Sequence, residues 1–275
     1  MRSSRAAGSG PRGIYLPHAR PPSDAELVAV AMAHCPTGVV TGELVLRQLG
    51  LRWLPETGGV HVLARSGGSS GLVRVTRTEA LPPTWTRYGG RLADVGRAIV
   101  DTARSLDRLT DVRGVVLGAV ADGWATPDGL AAVLDAGQRN GSGLTRRAVV
   151  DAERGCASPP EAELMDALAG RGVPFYVNPD VLVDGVLVGR PDVWLLGRGV
   201  GGEVESRAHH EQDDGQVEST YDRHERFRSC GLDLVHLSVR RIRLAPVVAA
   251  DQLLSRRPVR EPNRLVVRPR GPLLC

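Results

Sequence analysis

The pattern of apolar and polar positions divides the chain near residue 156. Upstream, SDAELVAVAMAH and TGELVLRQLG read as short helices, opened by Ser23 and Thr41 as caps. VHVLA and LVRVTR alternate as strands do. In RLADVGRAIVDTARSLDRL, Leu92, Val95, Ile99, Leu106 and Leu109 recur near helical spacing, and DVRGVVLGAVADGW continues as helix. TPDGLAAVLDAG carries a complete set of end signals: Thr126 as cap, Pro127 at the first helical position, Gly137 beyond the end.

Downstream the elements shorten and turn extended. SPPEAELMDALAGRG predicts a helix capped by Ser158. Two apolar runs flank Asp184-Gly185, which predicts a hairpin. PDVWLL and GVGGEVES predict further strands, with Pro191 at a strand start, where a missing N–H does least harm. EQDDGQVESTYDRHERFRSCG predicts a helix with Val217, Tyr221, His224 and Phe227 on one stripe, ended by Gly231. LDLVHLS and VRRIRL close the series as a strand and a short helix. On its stripe, His224 reads as a core histidine. The fold class expected is α/β (α+β): a mixed sheet flanked by helices over residues 156–245, preceded by a smaller, mostly helical α+β domain over 24–150. Residues 1–23 and 246–275, rich in Pro and Arg, are expected to be disordered.

Composition narrows the chemistry. All 35 basic residues are arginine, which stays protonated, so acid–base work falls to Asp, Glu, His, Tyr or water. Basic charge concentrates at the ends. Arg2, Arg5, Arg12 and Arg20 meet no acid in residues 1–22, and six arginines face Asp251 and Glu261 in 250–275. Such tails either hold phosphate non-specifically or serve as solubilising arms. Cys35, Cys156, Cys230 and Cys275 lie too far apart in sequence for a zinc motif and are expected to be reduced thiols. No apolar run approaches the ~20 residues of a spanning helix, and the first residues lack the apolar core of a signal peptide. A cytoplasmic protein is expected.

The candidate chemistry lies in four acids at element ends: Glu161, Asp192, Glu203 and Glu205. Strand alternation puts Glu203 and Glu205 on one face, and pairing of their strand with that of Asp192 brings three carboxylates together. Like charges so placed resist joint ionisation, and a divalent cation relieves them. Simpler readings stand beside this one. Ser158 and Glu161 have capping-box spacing, Asp192 follows a proline as turn acids do, and an edge strand often carries charges on its wet face. His209 shares the glutamates' parity if the strand extends that far. HHE lacks the His-x-x-x-His spacing of a zinc protease.

The ordered series SPPE (158–161), RPDVW (190–194), EVESRAHH (203–210), RHERF (223–227) and GLDLVHLS (231–238) resembles the PD-(D/E)XK nuclease superfamily. Within it, the series is most similar to a bacterial group related to the very-short-patch-repair endonucleases. Residues 14–150 resemble the abortive-infection antitoxin region that often precedes such domains, and GIYL resembles the last strand of a winged helix whose remainder is expected to be absent. The resemblance implies a restriction-endonuclease-like sheet and a Mg²⁺ (or Mn²⁺)-dependent DNA endonuclease or nickase. By position it makes Asp192 and Glu203 metal ligands, and Glu161 the residue that orders water or adds a ligand. Glu205 stands where lysine or aspartate is usual, and would be a further ligand or a base. His210 matches a phosphate or water contact. Arg207, Arg223 and Arg226 are candidates for holding phosphates. Further partners implied are DNA and a toxin or other protein on the upstream region. The other expectation is a catalytically inactive DNA-binding regulator or antitoxin-like protein.

Overall fold

The computed structural model of the chain describes residues 14–16, 18, 20–51, 54–55, 58–205, 214–260, 262 and 264–275, with the backbone alone for 214–221. It is a mixed α+β structure that divides into two compact units, Met1–Val149 and Val150–Cys275. The amino-terminal unit is therefore the longer one, not the smaller.

In the amino-terminal unit α1 (Asp24–His34) starts at a capping box in which Ser23 and Glu26 satisfy each other's backbone N–H. β1 (Val39–Thr41) leads into α2 (Glu43–Gln48), followed by β2 (Val60–Ala64), β3 (Val73–Arg77), β4 (Thr84–Arg87) and β5 (Gly90–Ala93). These strands form one mixed sheet in the order β3-β2-β1-β5-β4. Thr41 does not cap α2. It ends β1, its hydroxyl donates to Asp101, and Gly42 (φ 73°) takes the cap position without a side-chain bond. The long helix expected after Leu92 is broken: α3 (Val95–Ala103) and α4 (Leu109–Ala121) are separate, with Asp94 capping the first. α5 (Pro127–Ala136) keeps its expected signals, with Thr126 accepting from the Gly129 N–H. The core joins Val28, Leu44, Val62, Leu92, Ile99 and Val116. Ile14 and Leu16, assigned above to a disordered segment, pack against that core. α6 (Gly143–Glu153) carries the boundary between the units.

The carboxy-terminal unit contains α7 (Pro159–Leu168), β6 (Phe175–Val177), β7 (Asp180–Val183), β8 (Val186–Gly189), β9 (Val193–Leu195), β10 (Val200–Glu205), α8 (Asp214–Ser229), β11 (Asp233–Ser238), α9 (Val239–Leu244), α10 (Pro246–Leu254) and β12 (Leu265–Arg268). They build two sheets rather than one. The first has the order β11-β10-β9-β6, parallel between β10 and β11 and antiparallel elsewhere. The second, β12-β7-β8, is antiparallel throughout. Its hairpin turns at Asp184 (φ 53°) and Gly185 (φ 80°), the doubly left-handed pair that a tight two-residue loop requires.

The glycine pair before Glu203 has a packing reason. A Cβ on Gly202 would stand 2.7 Å from Val193 Cγ1, and one on Gly201 would stand 3.1 Å from Leu234. Trp194, Phe227 and Leu234 fill the core on the Gly201 side, with the Trp194 and Phe227 rings 6.2 Å apart.

The segment 246–275 is not a loose tail over its described residues. α10 buries Ala249, Ala250 and Leu253, β12 pairs with β7, and Leu274 bridges to Phe175. Its alternating Leu265-Val266-Val267 completes a sheet whose partner strand lies some eighty residues earlier, a pairing that local composition does not encode. All four cysteines are free thiols. No helix among the described residues is long and apolar enough to cross a membrane. A chain ending at Pro258 is expected to lose about 2 kcal/mol or more of stability, because β7 loses its partner strand and the cover of Leu265 and Val267. Urea unfolding followed by circular dichroism measures this. An unchanged midpoint would show that β12 adds nothing to the fold.

Candidate active site

β10 sets the site out. Its register places Glu203 beside His236 and Glu205 beside Ser238 on β11, and Gly202 beside Val193 on β9. One step further along that antiparallel ladder, Asp192 comes opposite Glu203. Opposed residues share a sheet face, so Asp192, Glu203, Glu205 and His236 project to the same side. β9 stops at Val193, so the N–H of Val204 has no strand partner there; the Asp192 carboxylate accepts it at 2.6 Å. Asp192 is thus both a site acid and the cap of a broken ladder.

Glu161 reaches the cluster from the first turn of α7. Its carboxylate accepts from the Ala157 N–H at 2.9 Å, the Ser158 hydroxyl at 2.7 Å and the Asn178 amide at 3.2 Å. The first two are local; the cap itself is the Ser158 hydroxyl accepting from the Glu161 N–H, while the Glu161 carboxylate reaches the Ala157 N–H instead of that of Ser158. The third is long-range. Asn178 (φ 47°) also donates its side-chain amide to Gly155 O and its backbone N–H to Asp192 O. It ties the start of α7 to the start of β9. Asparagine tolerates this left-handed turn better than most residues.

The electrostatics follow from crowding. Burial, then the neighbouring Glu161 carboxylate and further on Glu203, push the Asp192 carboxyl up to about 8, against opposing effects of the Val204 N–H and Arg223. Arg223 of α8 turns into the cluster and pairs with Glu203 Oε1. Glu203 Oε2 is buried and has no hydrogen-bond partner. His236 Nδ1 lies 2.6 Å from Glu205 Oε1 and 3.9 Å from Glu203 Oε2, at ion-pair distance but outside hydrogen-bond geometry. The His224 ring sits 5.2 Å from that of His236, so His224 is a half-buried neighbour of the site rather than a core residue.

The expected site residues are therefore distributed as follows. Glu161, Asp192 and Glu203 converge, and Glu205 joins them through His236. Arg223 holds a carboxylate in place of the phosphate contact expected of it. Arg226 is exposed in a shallow depression with Asp222 and Glu225, whose charges oppose a phosphate role. Arg207, His209 and His210 lie outside the described residues. Two contributors were not singled out by sequence reasoning. His236 was visible as the polar position in LVHLS, but its partner is set by β10–β11 register. Asn178 showed only an Asn-Pro turn. Among the described residues, no three Asp, Glu, His or Cys side chains are arranged as a ready ligand set for a metal ion.

The raised Asp192 value makes a signed prediction. The folded state keeps a proton that the unfolded state loses near the ordinary value of 3.8, so this carboxyl's contribution to stability falls as pH rises from about 4 to about 8, then levels. Asp192→Asn retains an oxygen for the Val204 N–H and removes the titration. Denaturant midpoints across that range are expected to show the wild type losing ground to the variant as pH rises, and parallel curves would refute the assignment. No protein-family model matches the chain, and neither does any curated protein or solved structure.

Proposed function

We propose that the carboxy-terminal unit is a Mg²⁺-dependent endonuclease or nickase, with a restriction-endonuclease-like arrangement of its β11-β10-β9-β6 sheet, acting on DNA phosphodiesters. The observation that carries this reading is the meeting of the Glu161, Asp192 and Glu203 carboxylates, with Glu203 Oε2 buried and without a hydrogen-bond partner. Carboxylate oxygens are the donor type a hard divalent cation prefers, although these three are not arranged as a ready ligand set, and such a cation would add positive charge to the cluster. Asp192, Glu203 and Glu205 would hold it. When bound, Mg²⁺ supplies charge stabilisation at a phosphodiester and acidification of water.

The chain's own residues do the rest. Glu161 is fixed by three donors, so its position beside Asp192 does not depend on a ligand. Arg223 holds one oxygen of Glu203 and leaves the other toward the cluster. With no lysine in the chain, the charge-stabilising part that lysine plays in related sites falls to Arg223 and to His236 beside Glu205. His210 and Arg207 would add phosphate contacts from the segment after β10. The amino-terminal unit would serve DNA recognition or contact with a protein partner such as a toxin.

One observation favours a second reading, a nuclease-fold DNA-binding regulator without catalysis. Glu161, Asp192 and Glu203 each already accept from a protein donor, and Arg223 supplies a positive charge that a metal would otherwise bring. Supercoiled-plasmid nicking in Mg²⁺ or Mn²⁺, beside an EDTA control and Asp192→Ala, separates the two. The expected result is metal-dependent nicking lost in Asp192→Ala. Metal-independent DNA binding by folded protein, with no nicking in either metal, would establish the regulator instead.

A further inference from the structure

A second built site lies in the amino-terminal unit. The register of its sheet opposes Thr41 to His61 and His61 to Arg74, so these three side chains form a row across β1, β2 and β3 on one face. Thr76, two residues beyond Arg74, lies on that face too. β3 is an edge strand, and Arg74 at its surface is exposed.

The hydrogen bonds in this row have a direction. Arg74 Nη2 stands 2.8 Å from His61 Nδ1, and His61 Nε2 stands 2.8 Å from Thr76 Oγ1. A guanidinium can only donate, so Nδ1 is the acceptor and the imidazole proton sits on Nε2. Nε2–H then donates to Thr76, which leaves the threonine's own proton for an outside acceptor. Burial and the nearby Arg74 and Arg97 charges keep His61 neutral. A neutral histidine thus orients a guanidinium and a hydroxyl side by side.

The charge balance is incomplete. Arg74 has no carboxylate at ion-pair distance among the described residues, although burial presses on its charge. The acid it senses, Asp101, is buried and already taken: Arg97 Nε donates to it at 2.8 Å and Thr41 Oγ1 at 2.8 Å. Arg104 also acts on Asp101. Arg74, Arg97 and Arg104 thus share the influence of one carboxylate, beside the Arg74–Thr76 donor pair. A guanidinium without a counter-ion is answered by an anion with several acceptor oxygens.

We propose that Arg74 and Thr76, oriented from behind by His61, form a phosphate-binding site on the amino-terminal sheet. A tetrahedral phosphate can accept from the guanidinium fork and the hydroxyl together, within the excess positive field of Arg97 and Arg104. The group recognised is a phosphate, either free or within a nucleic-acid backbone. The inference does not depend on the reading of the carboxy-terminal unit.

The test follows ¹H–¹⁵N resonances of the full chain at Arg74 and Thr76. In one arm inorganic phosphate is titrated against sodium chloride at matched ionic strength. In the other, a short DNA duplex is added in EDTA. Saturable shifts are expected at both residues, weakened about tenfold by Arg74→Gln and about three- to tenfold by Thr76→Val. Arg77→Gln, on the opposite face of β3, should leave the affinity unchanged. Saturation by inorganic phosphate assigns a free phosphate or monoester, and saturation by duplex alone assigns the polymer backbone. No saturable shift in either arm, or equal affinity in Arg74→Gln, overturns the proposal.

Discussion

Carboxylates cannot be gathered in a protein interior without something to answer their charge, and the carboxy-terminal unit is arranged around that constraint. Glu161 of α7, Glu203 of β10 and Asp192, just before β9, meet where β9 begins. The chain answers with the Asn178 amide and the Ala157 and Val204 N–H groups, together with the Arg223 guanidinium. These reduce the repulsion without removing it, and burial, with Glu161 and Glu203 beside it, pushes the Asp192 carboxyl up to about 8. Further charge must come from a proton or a cation.

The surrounding scaffold holds the cluster in place. Gly201 and Gly202 let β10 lie close against Val193 and Leu234, so the strand carrying Glu203 and Glu205 sits firmly between β9 and β11. Asp192 completes the ladder with its side chain where the backbone of β9 stops. α8 packs Phe227 into the core beneath and presents Arg223 and His224 above. One helix thereby supplies the hydrophobic anchor and the counter-charge. In the amino-terminal unit the same logic appears with opposite sign: guanidiniums outnumber acids around Asp101, and a neutral histidine orients the surplus.

Much of the architecture was legible in the order of residues, because it depends on local chemistry. Caps at Ser23, Thr126 and Ser158 and the Asp184-Gly185 turn are short-range signals, and the structure realises each. The failures share a cause. Thr41 looked like a cap but its hydroxyl goes to Asp101, sixty residues later. The helical run after Leu92 breaks at Arg104–Arg108, although its apolar spacing continues across the break. The 246–275 segment has the composition of a tail, yet β7 gives it a partner.

The same division applies to the site. Sequence alone determined that Glu203 and Glu205 share a face, that Glu161 opens a helix, and that no lysine is present to take a catalytic part, because strand parity, capping and composition need no tertiary information. Tertiary structure decided which charges meet. It brought Arg223 to Glu203, His236 to Glu205, Asn178 between Glu161 and Asp192, and Arg74 to His61. Those contacts depend on sheet register and helix packing between distant segments, and the interaction of a side chain with a group far away in sequence leaves no period or spacing to read.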